Sequence, residues 1–458
     1  MPALHSPVVA RRPRLARAAA LLAALALPFL RTAGAQEAPP ATPAAAPPAA
    51  DSVSARAVAP GVVYRRIARP AGPWVLHVLE VELRRPEIAV RAVRACDALT
   101  GRERPSAIAR RLRGEGVDVV GVLNTDFFDL EGGTGTNENN VVVDEEVVKG
   151  VERTESPFHT FDNVHTQFAL TAAGAPLIER FALRGTVRTP YGRWPLGGVN
   201  AAHPRVGALA LFTRWSGPAT RAVAAADSAP AEVVLVRLAS RGDTARYRVR
   251  GAPRRGGGTP IPDGGAVLAG VGAARRAVER LRDGDRVTVV ESFSPHTGPL
   301  RTLVGGWPRI VRAGRSVAAA ADSAEGTFPR FSRSRHPRSA VGISRDSATL
   351  YLVAVEGRRR ASVGMSLAEL ADAMLALGAH DALNLDGGGS TALVVGDSVV
   401  SVPSDATGER PVGEVLVVAR RAPGETPPVR RAVPAAGGAP ASCVLAGNRD
   451  PDRAPRAP

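Results

Sequence analysis

The sequence predicts an α+β fold: a large mixed β-sheet core with a few packing helices. Three observations lead there. Runs of strand composition outnumber helical ones along the 458 residues. Several of those runs are almost continuously apolar, as expected of strands covered on both faces. Only two segments repeat their apolar residues at helical spacing.

The elements follow in chain order. Arg11, Arg12, Arg14 and Arg17 precede an apolar run, Ala18 to Leu30, and Ala33-Gly34-Ala35 supplies an A-x-A site. This is the pattern of a signal peptide over 1–35, cut after Ala35. The run is short for a membrane span, so no stable span is expected after cleavage, and the mature protein should be secreted or periplasmic. An Ala/Pro-rich stretch, 36–58, reads as a flexible linker. The folded domain is expected over 59–421, and 422–458 reads as a low-complexity, disordered tail.

Inside the domain, Trp74–Leu83 and Ile88–Ala95 have strand composition, separated by Arg84, Arg85 and Pro86. Ser106–Gly116 reads as a helix leading into a buried strand, Val117–Leu123. Strands are also expected at Arg286–Phe293, Ser339–Ser344 and Thr349–Gly357, the last two joined by a hairpin at Arg345–Ala348. Ser366 and Glu369 form a capping box. Behind it Leu367, Leu370, Met374 and Leu377 recur at helical spacing, and Gly378 ends the helix. Ala382–Leu385 and Thr391–Val395 should be strands on either side of a glycine run.

Composition excludes several functions. The net charge of +16 is nearly all arginine, with Lys149 the only lysine, and it is spread along the chain. With aromatics at 4%, a stacking platform for nucleic acid has little material, and no nucleic-acid partner is expected. The chain lacks CxxC, HExxH and GxxxxGK[ST] patterns, so structural zinc, zincin chemistry and a P-loop have no support. Cys96 and Cys443 could pair after export, but two cysteines alone do not specify a bridge.

Polar groups collect where strands should end. In LNTDFFD (Leu123–Asp129), Asn124, Asp126 and Asp129 follow a buried strand, and Phe127 and Phe128 could desolvate a carboxylate and shift its pKa. In SRHPRSAVGIS (Ser334–Ser344), Arg338 stands at a strand start, where a fixed guanidinium fork suits an anion. In ALNLDGGGSTALVV (Ala382–Val395), Asp386 precedes Gly387, Gly388 and Gly389, which let a ligand approach the backbone and could form an anion nest. Ser390 and Thr391 add hydroxyls. Asp405, Glu409 and Arg410 precede the last strand, and Glu356 ends the hairpin.

These stretches, with GGWPRIVRAG, LYLVAVEGR, GMSLAELADAMLALGAHD and PSDATGERPV, occur in an order that resembles the phosphodiester glycosidase family. The resemblance runs from about Arg104 to Val418, is most specific after Arg335, and weakens in a divergent middle segment, about 200–300. Glu356 stands where the family usually has Asp, and Asn124-Thr125 where Asn-Gly is usual. The resemblance implies an exported hydrolase that cleaves a GlcNAc-like sugar from a sugar-1-phosphate diester or envelope polymer at the anomeric C–O bond. Asp386, Asp126 and Glu409 are then the expected catalytic residues. Asn124, Arg338, Gly387, Gly388, Gly389, Ser390, Thr391 and Asp405 are the expected substrate-binding ones. A phosphomonoester leaves as a stable anion, so the demand for a general acid falls, and the demand for stabilising positive charge at the sugar and negative charge at phosphate rises. No cofactor is required, although Asp126, Asp129 and Asp386 could hold a divalent cation for P–O cleavage. A non-catalytic glycan-binding module is the remaining alternative.

Overall fold

Strand side chains alternate between two faces, and in the largest sheet both faces are apolar. Its eight strands run in the order Ser52–Ala59, Val62–Arg69, Trp74–Glu82, Thr349–Val355, Arg338–Ser344, Ala379–Asn384, Arg309–Arg312, Arg315–Ser316, all pairs antiparallel. In Thr349–Val355, Tyr351, Val353 and Val355 pack on one side with the helix Leu367–Ala376. Leu350, Leu352 and Ala354 pack on the other side, against further strands. The structure, a computed structural model, describes residues 50–155, 164–202, 205–222, 229–421 and 440–445, all within the unit Pro48–Pro458. The expected signal peptide lies outside the described residues.

The facing layer holds two five-stranded sheets. One is ordered Ser398–Val399, Leu393–Val395, Asp118–Asn124, Glu414–Arg420, Ile88–Arg94; the other Glu146–Lys149, Val141–Val143, Leu300–Gly305, Gln167–Thr171, Pro176–Glu179. The helix Pro105–Gly114 packs Ile108, Ala109 and Leu112 on the outer face of the first. The order helix, sheet, sheet, helix gives a sandwich within the α+β class that the sequence predicts, although the largest sheet is antiparallel throughout where a mixed sheet is expected. The divergent middle belongs mainly to a closed seven-stranded barrel: Gly185–Thr189, Gly192–Val199, Leu209–Phe212, Ala266–Gly270, Ala231–Arg241, Thr244–Arg255, Arg286–Val290. The β structure is mixed through one pairing in this barrel, Gly192–Val199 parallel to Leu209–Phe212.

Local signals are realised closely. Ser366 Oγ accepts from the Glu369 N–H, and the Glu369 carboxylate accepts from the Ser366 N–H at 2.9 Å. Leu367, Leu370 and Met374 are fully buried, each contributing roughly 1.5–3 kcal/mol relative to exposure. The hairpin turn sets Ser347 at φ 56°. The expected strand Arg286–Phe293 stops at Val290, and Phe293–Ser294 pairs elsewhere, with Ala182–Leu183.

Two expected boundaries are corrected. Ser52–Ala59, assigned almost entirely to the linker, is a strand paired with Val62–Arg69. As an edge strand it is exposed along most of its length, so it carries no apolar alternation to mark it. Within the expected tail, Cys443 is bonded to Cys96 across 347 residues of sequence, and Val444 exchanges backbone hydrogen bonds with Arg102. The structure thus decides the pairing that two cysteines could not specify. Among the described residues no helix is long and apolar enough to cross a membrane.

Candidate active site

Two strand ends from the opposed layers meet at the site. Asp118–Asn124 runs into Thr125-Asp126, and Ala379–Asn384 into Leu385-Asp386. The Asp386 N–H donates to the Thr125 carbonyl at 2.8 Å. Asn124 completes the joint: Nδ2 donates to the Asp386 carbonyl at 2.7 Å, and Oδ1 accepts from Ser339 Oγ at 2.6 Å and the Ala392 N–H at 3.1 Å. Asn124 is fully buried. It staples the layers together, which corrects its expected contact with substrate.

Asp126 is 2% exposed. Its carboxylate accepts from the Asn139 N–H at 3.0 Å and Asn139 Nδ2 at 2.7 Å. Burial pushes its pKa up to about 6, against the pull of the Asn139 hydrogen bonds and the Lys149 charge. Gly305 lies directly against this carboxylate: a Cβ there would overlap it. Asp386 is half-buried. Burial raises it to about 6 as well; Ser390, the Arg410 charge and the Gly387 N–H oppose the rise, and the Asp126 charge adds to it. Both carboxyls thus carry raised pKa values of about 6, close enough to neutral pH to suit proton transfer or charge stabilisation.

The glycine run is shaped differently from an anion nest. The Gly387 N–H serves the Asp386 carboxylate, and those of Gly388, Ser390 and Thr391 donate to the carbonyls of Pro337, Gly387 and Gly388. The close approach that these glycines permit is made here by protein atoms, not by the ligand expected from the sequence. Gly389 lies under the Asp405–Arg410 ion pair, in the volume a Cβ would need, and that pair closes at 2.7 Å. Gly388 adopts φ +62°, and its missing Cβ would sit 3.1 Å from an Arg358 guanidinium nitrogen. Ser390 is buried beside Asp386, and Thr391 is buried behind it. Asp405 meets Arg410 and, at 3.8 Å, Arg358, so it orients both cations.

Three further expectations are corrected. Arg338 is 1% exposed; Nε donates to the Met365 carbonyl at 2.9 Å, and Nη2 to those of Phe331 at 2.6 Å and Ser334 at 3.2 Å. Burial lowers its pKa to about 10. Its fork holds the backbone before the strand. Arg338→Ala should therefore cost about 3 kcal/mol of stability, because hydrogen bonds from a charged group to buried carbonyls are lost. Melting temperature and KM on one preparation check this, the expected result being a large fall in the first and little change in the second. Glu409 sits at the start of the helix Pro105–Gly114, where its carboxylate accepts from the Ser106 N–H at 2.9 Å and from Ser106 Oγ at 2.5 Å. It stabilises that helix terminus, and burial raises its pKa. Asp129 holds its own turn through the Gly132 N–H at 2.7 Å and Thr134 Oγ1 at 2.6 Å. It does not join Asp126 and Asp386 in a cation site, and among the described residues no cluster of three or more His, Cys, Asp or Glu is placed to hold a metal.

Arg358, Trp307, Phe328 and Phe331 were not singled out from the sequence. Arg358, 47% exposed at its side chain, is the open cation over the glycine run. Nearby, Glu356 accepts from the Val402 N–H at 3.2 Å and pairs with His77 at 2.9 Å. Burial raises its pKa, but the His77 hydrogen bond and charge outweigh that and leave it lowered. Phe127, Trp307, Phe328 and Phe331 form a ring cluster next to Asp126. Overall aromatic scarcity concealed their gathering at one place.

The fold and the two buried strand ends can now be set beside known proteins. Residues 238–419 match the phosphodiester glycosidase family, so the resemblance read from the sequence holds. A curated relative is the N-acetylglucosamine-1-phosphodiester alpha-N-acetylglucosaminidase of Bos taurus, 31% identical over 156 residues, a match covering 32% of this chain and 29% of the bovine protein. The aligned part is thus under a third of that relative's length. Two solved structures share the fold. A hypothetical protein from Synechocystis has a TM-score of 0.63 at 23% identity, covering 82% of this chain and 64% of its own. A putative exported protein from Burkholderia pseudomallei has a TM-score of 0.60 at 20% identity, covering 81% and 96%.

Proposed function

We propose that this chain is an exported hydrolase, secreted or periplasmic, that cleaves a GlcNAc-like sugar from a sugar-1-phosphate diester by breaking the anomeric C–O bond. The observation that carries the reading is the pair of desolvated carboxyls, Asp126 and Asp386, raised to about 6, beside the exposed guanidinium of Arg358. Asp386, the more open of the two, faces the anomeric carbon. Arg358 takes the phosphate role that the sequence had given to Arg338, and Arg410 sets the charge on Asp386. In the reaction the C–O bonding pair leaves with the phosphate oxygen, a water oxygen becomes bonded to C1, and the water proton passes to a carboxylate. No proton is required by the departing phosphomonoester, which leaves the second carboxyl free to tune the first. Preorganised charge is the main source of rate.

Hydrolysis of the methyl phosphodiester of α-N-acetylglucosamine 1-phosphate in oxygen-18 water tests the bond cleaved. Label is expected in the sugar. Label in the phosphate would mean P–O cleavage and overturn the assignment, and binding without turnover across a panel of sugar diesters would make the chain a glycan-binding module.

A further inference from the structure

We propose that Phe328, backed by Phe331 and Trp307 and bordered by Phe127, forms a platform on which the apolar face of the substrate's pyranose ring stacks. This rests on the glycosyl-phosphodiester reading above and assigns its sugar subsite. The rings are packed into one wall. Trp307 stacks on Phe331 at 4.9 Å between centroids, Phe127 meets both Trp307 at 5.9 Å and Phe331 at 6.0 Å edge-on, and Phe328 lies 5.8 Å from Phe331. The rear is fixed: Trp307 is 5% exposed, stacks on His165 at 4.9 Å and donates Nε1–H to the Glu325 carbonyl at 2.8 Å.

The wall is tied to the carboxyls at both ends. Phe127 directly follows Asp126. Trp307 follows the Gly305 that abuts Asp126, and its N–H donates to the Asn384 carbonyl, two residues before Asp386, at 2.8 Å. Phe331 is covered by Trp307 and by Arg338, whose guanidinium lies 4.9 Å over its ring, which leaves Phe328 as the open face. A wall that only filled the core would be covered, yet Phe328 is 38% exposed and Phe127 and Phe331 are partly open. Beside an acid pair and an exposed cation, the fitting occupant is amphipathic: a sugar offers C–H groups to rings on one face and presents a phosphate to Arg358 at one end.

The test measures kcat and KM for the same methyl phosphodiester with wild type, Phe328→Ala and Phe328→Trp, and the affinity of that diester for Asp386→Asn protein with and without Phe328→Ala. Phe328→Ala should raise KM about tenfold with kcat within twofold, and Phe328→Trp should restore KM. Partial exposure of Phe328 makes loss of folding a minor concern, and melting curves verify it. A KM unchanged by Phe328→Ala in an active enzyme would overturn the platform alone. Ring-dependent binding without wild-type turnover would support the platform and overturn the proposed chemistry, and absence of both binding and turnover would overturn both.

Discussion

Asp386→Asn protein should fold, still bind the diester, and lose roughly a thousandfold or more of kcat. The substitution keeps shape and removes the charge that opposes a cationic transition state. Its stability should move the other way. Asp386 has a folded pKa of about 6, raised above its ordinary 3.8 by burial. Such a group contributes its stability below the unfolded pKa and loses it as pH rises through the folded one. At pH 7 to 8 the wild type therefore keeps an unfavourably desolvated charge that the asparagine lacks. The variant should melt no lower than wild type at pH 8, and the difference should shrink or reverse at pH 4. Wild-type turnover should fall below about pH 6 as the carboxyls take up protons. Turnover and melting temperature measured across that range check all three. A folded Asp386→Asn enzyme with wild-type kcat would remove the catalytic assignment and shift it to Asp126.

Gly305→Ala should disable the site from behind. The added methyl would occupy the volume of the Asp126 carboxylate, so the carboxylate must move off its Asn139 donors or the strand Leu300–Gly305 must shift. Overpacking of this kind costs about 1–3 kcal/mol, and a misplaced reacting group costs on the order of a hundredfold in rate. The expected protein is folded, somewhat less stable, and about a hundredfold slower, with its acid-limb pKa displaced from that of wild type. Near-normal kcat with a normal pH profile would show that Asp126 has no part in the chemistry.

Much of this architecture was legible in the residues. The helix behind Ser366 and Glu369, the strand Thr349–Val355 and the hairpin at Ser347 rest on contacts between near neighbours in the chain, which composition and spacing encode directly. Asp126 and Asp386 were also legible, because acids placed just after near-continuous apolar strands must emerge where sheets end. The desolvation expected for one acid of Leu123–Asp129 is seen in the raised pKa of Asp126.

What the sequence could not rank were residues of the same type in similar settings. Arg338 and Arg358 both flank buried strands, and only packing shows that the first reaches backbone carbonyls while the second stays open over Gly388. Glu409 reads like any acid near a strand until the start of a helix some 300 residues earlier in the chain is brought beside it. The Cys96–Cys443 bond, the closure of the barrel and the gathering of Trp307, Phe328 and Phe331 next to Phe127 are likewise long-range events. Local propensity acts over a few residues, whereas the exposure and the partner of a charged group depend on which distant segments pack against it. For that reason the candidate carboxyls could be read from the chain, and the cation and the rings that serve them could be assigned only once it had folded.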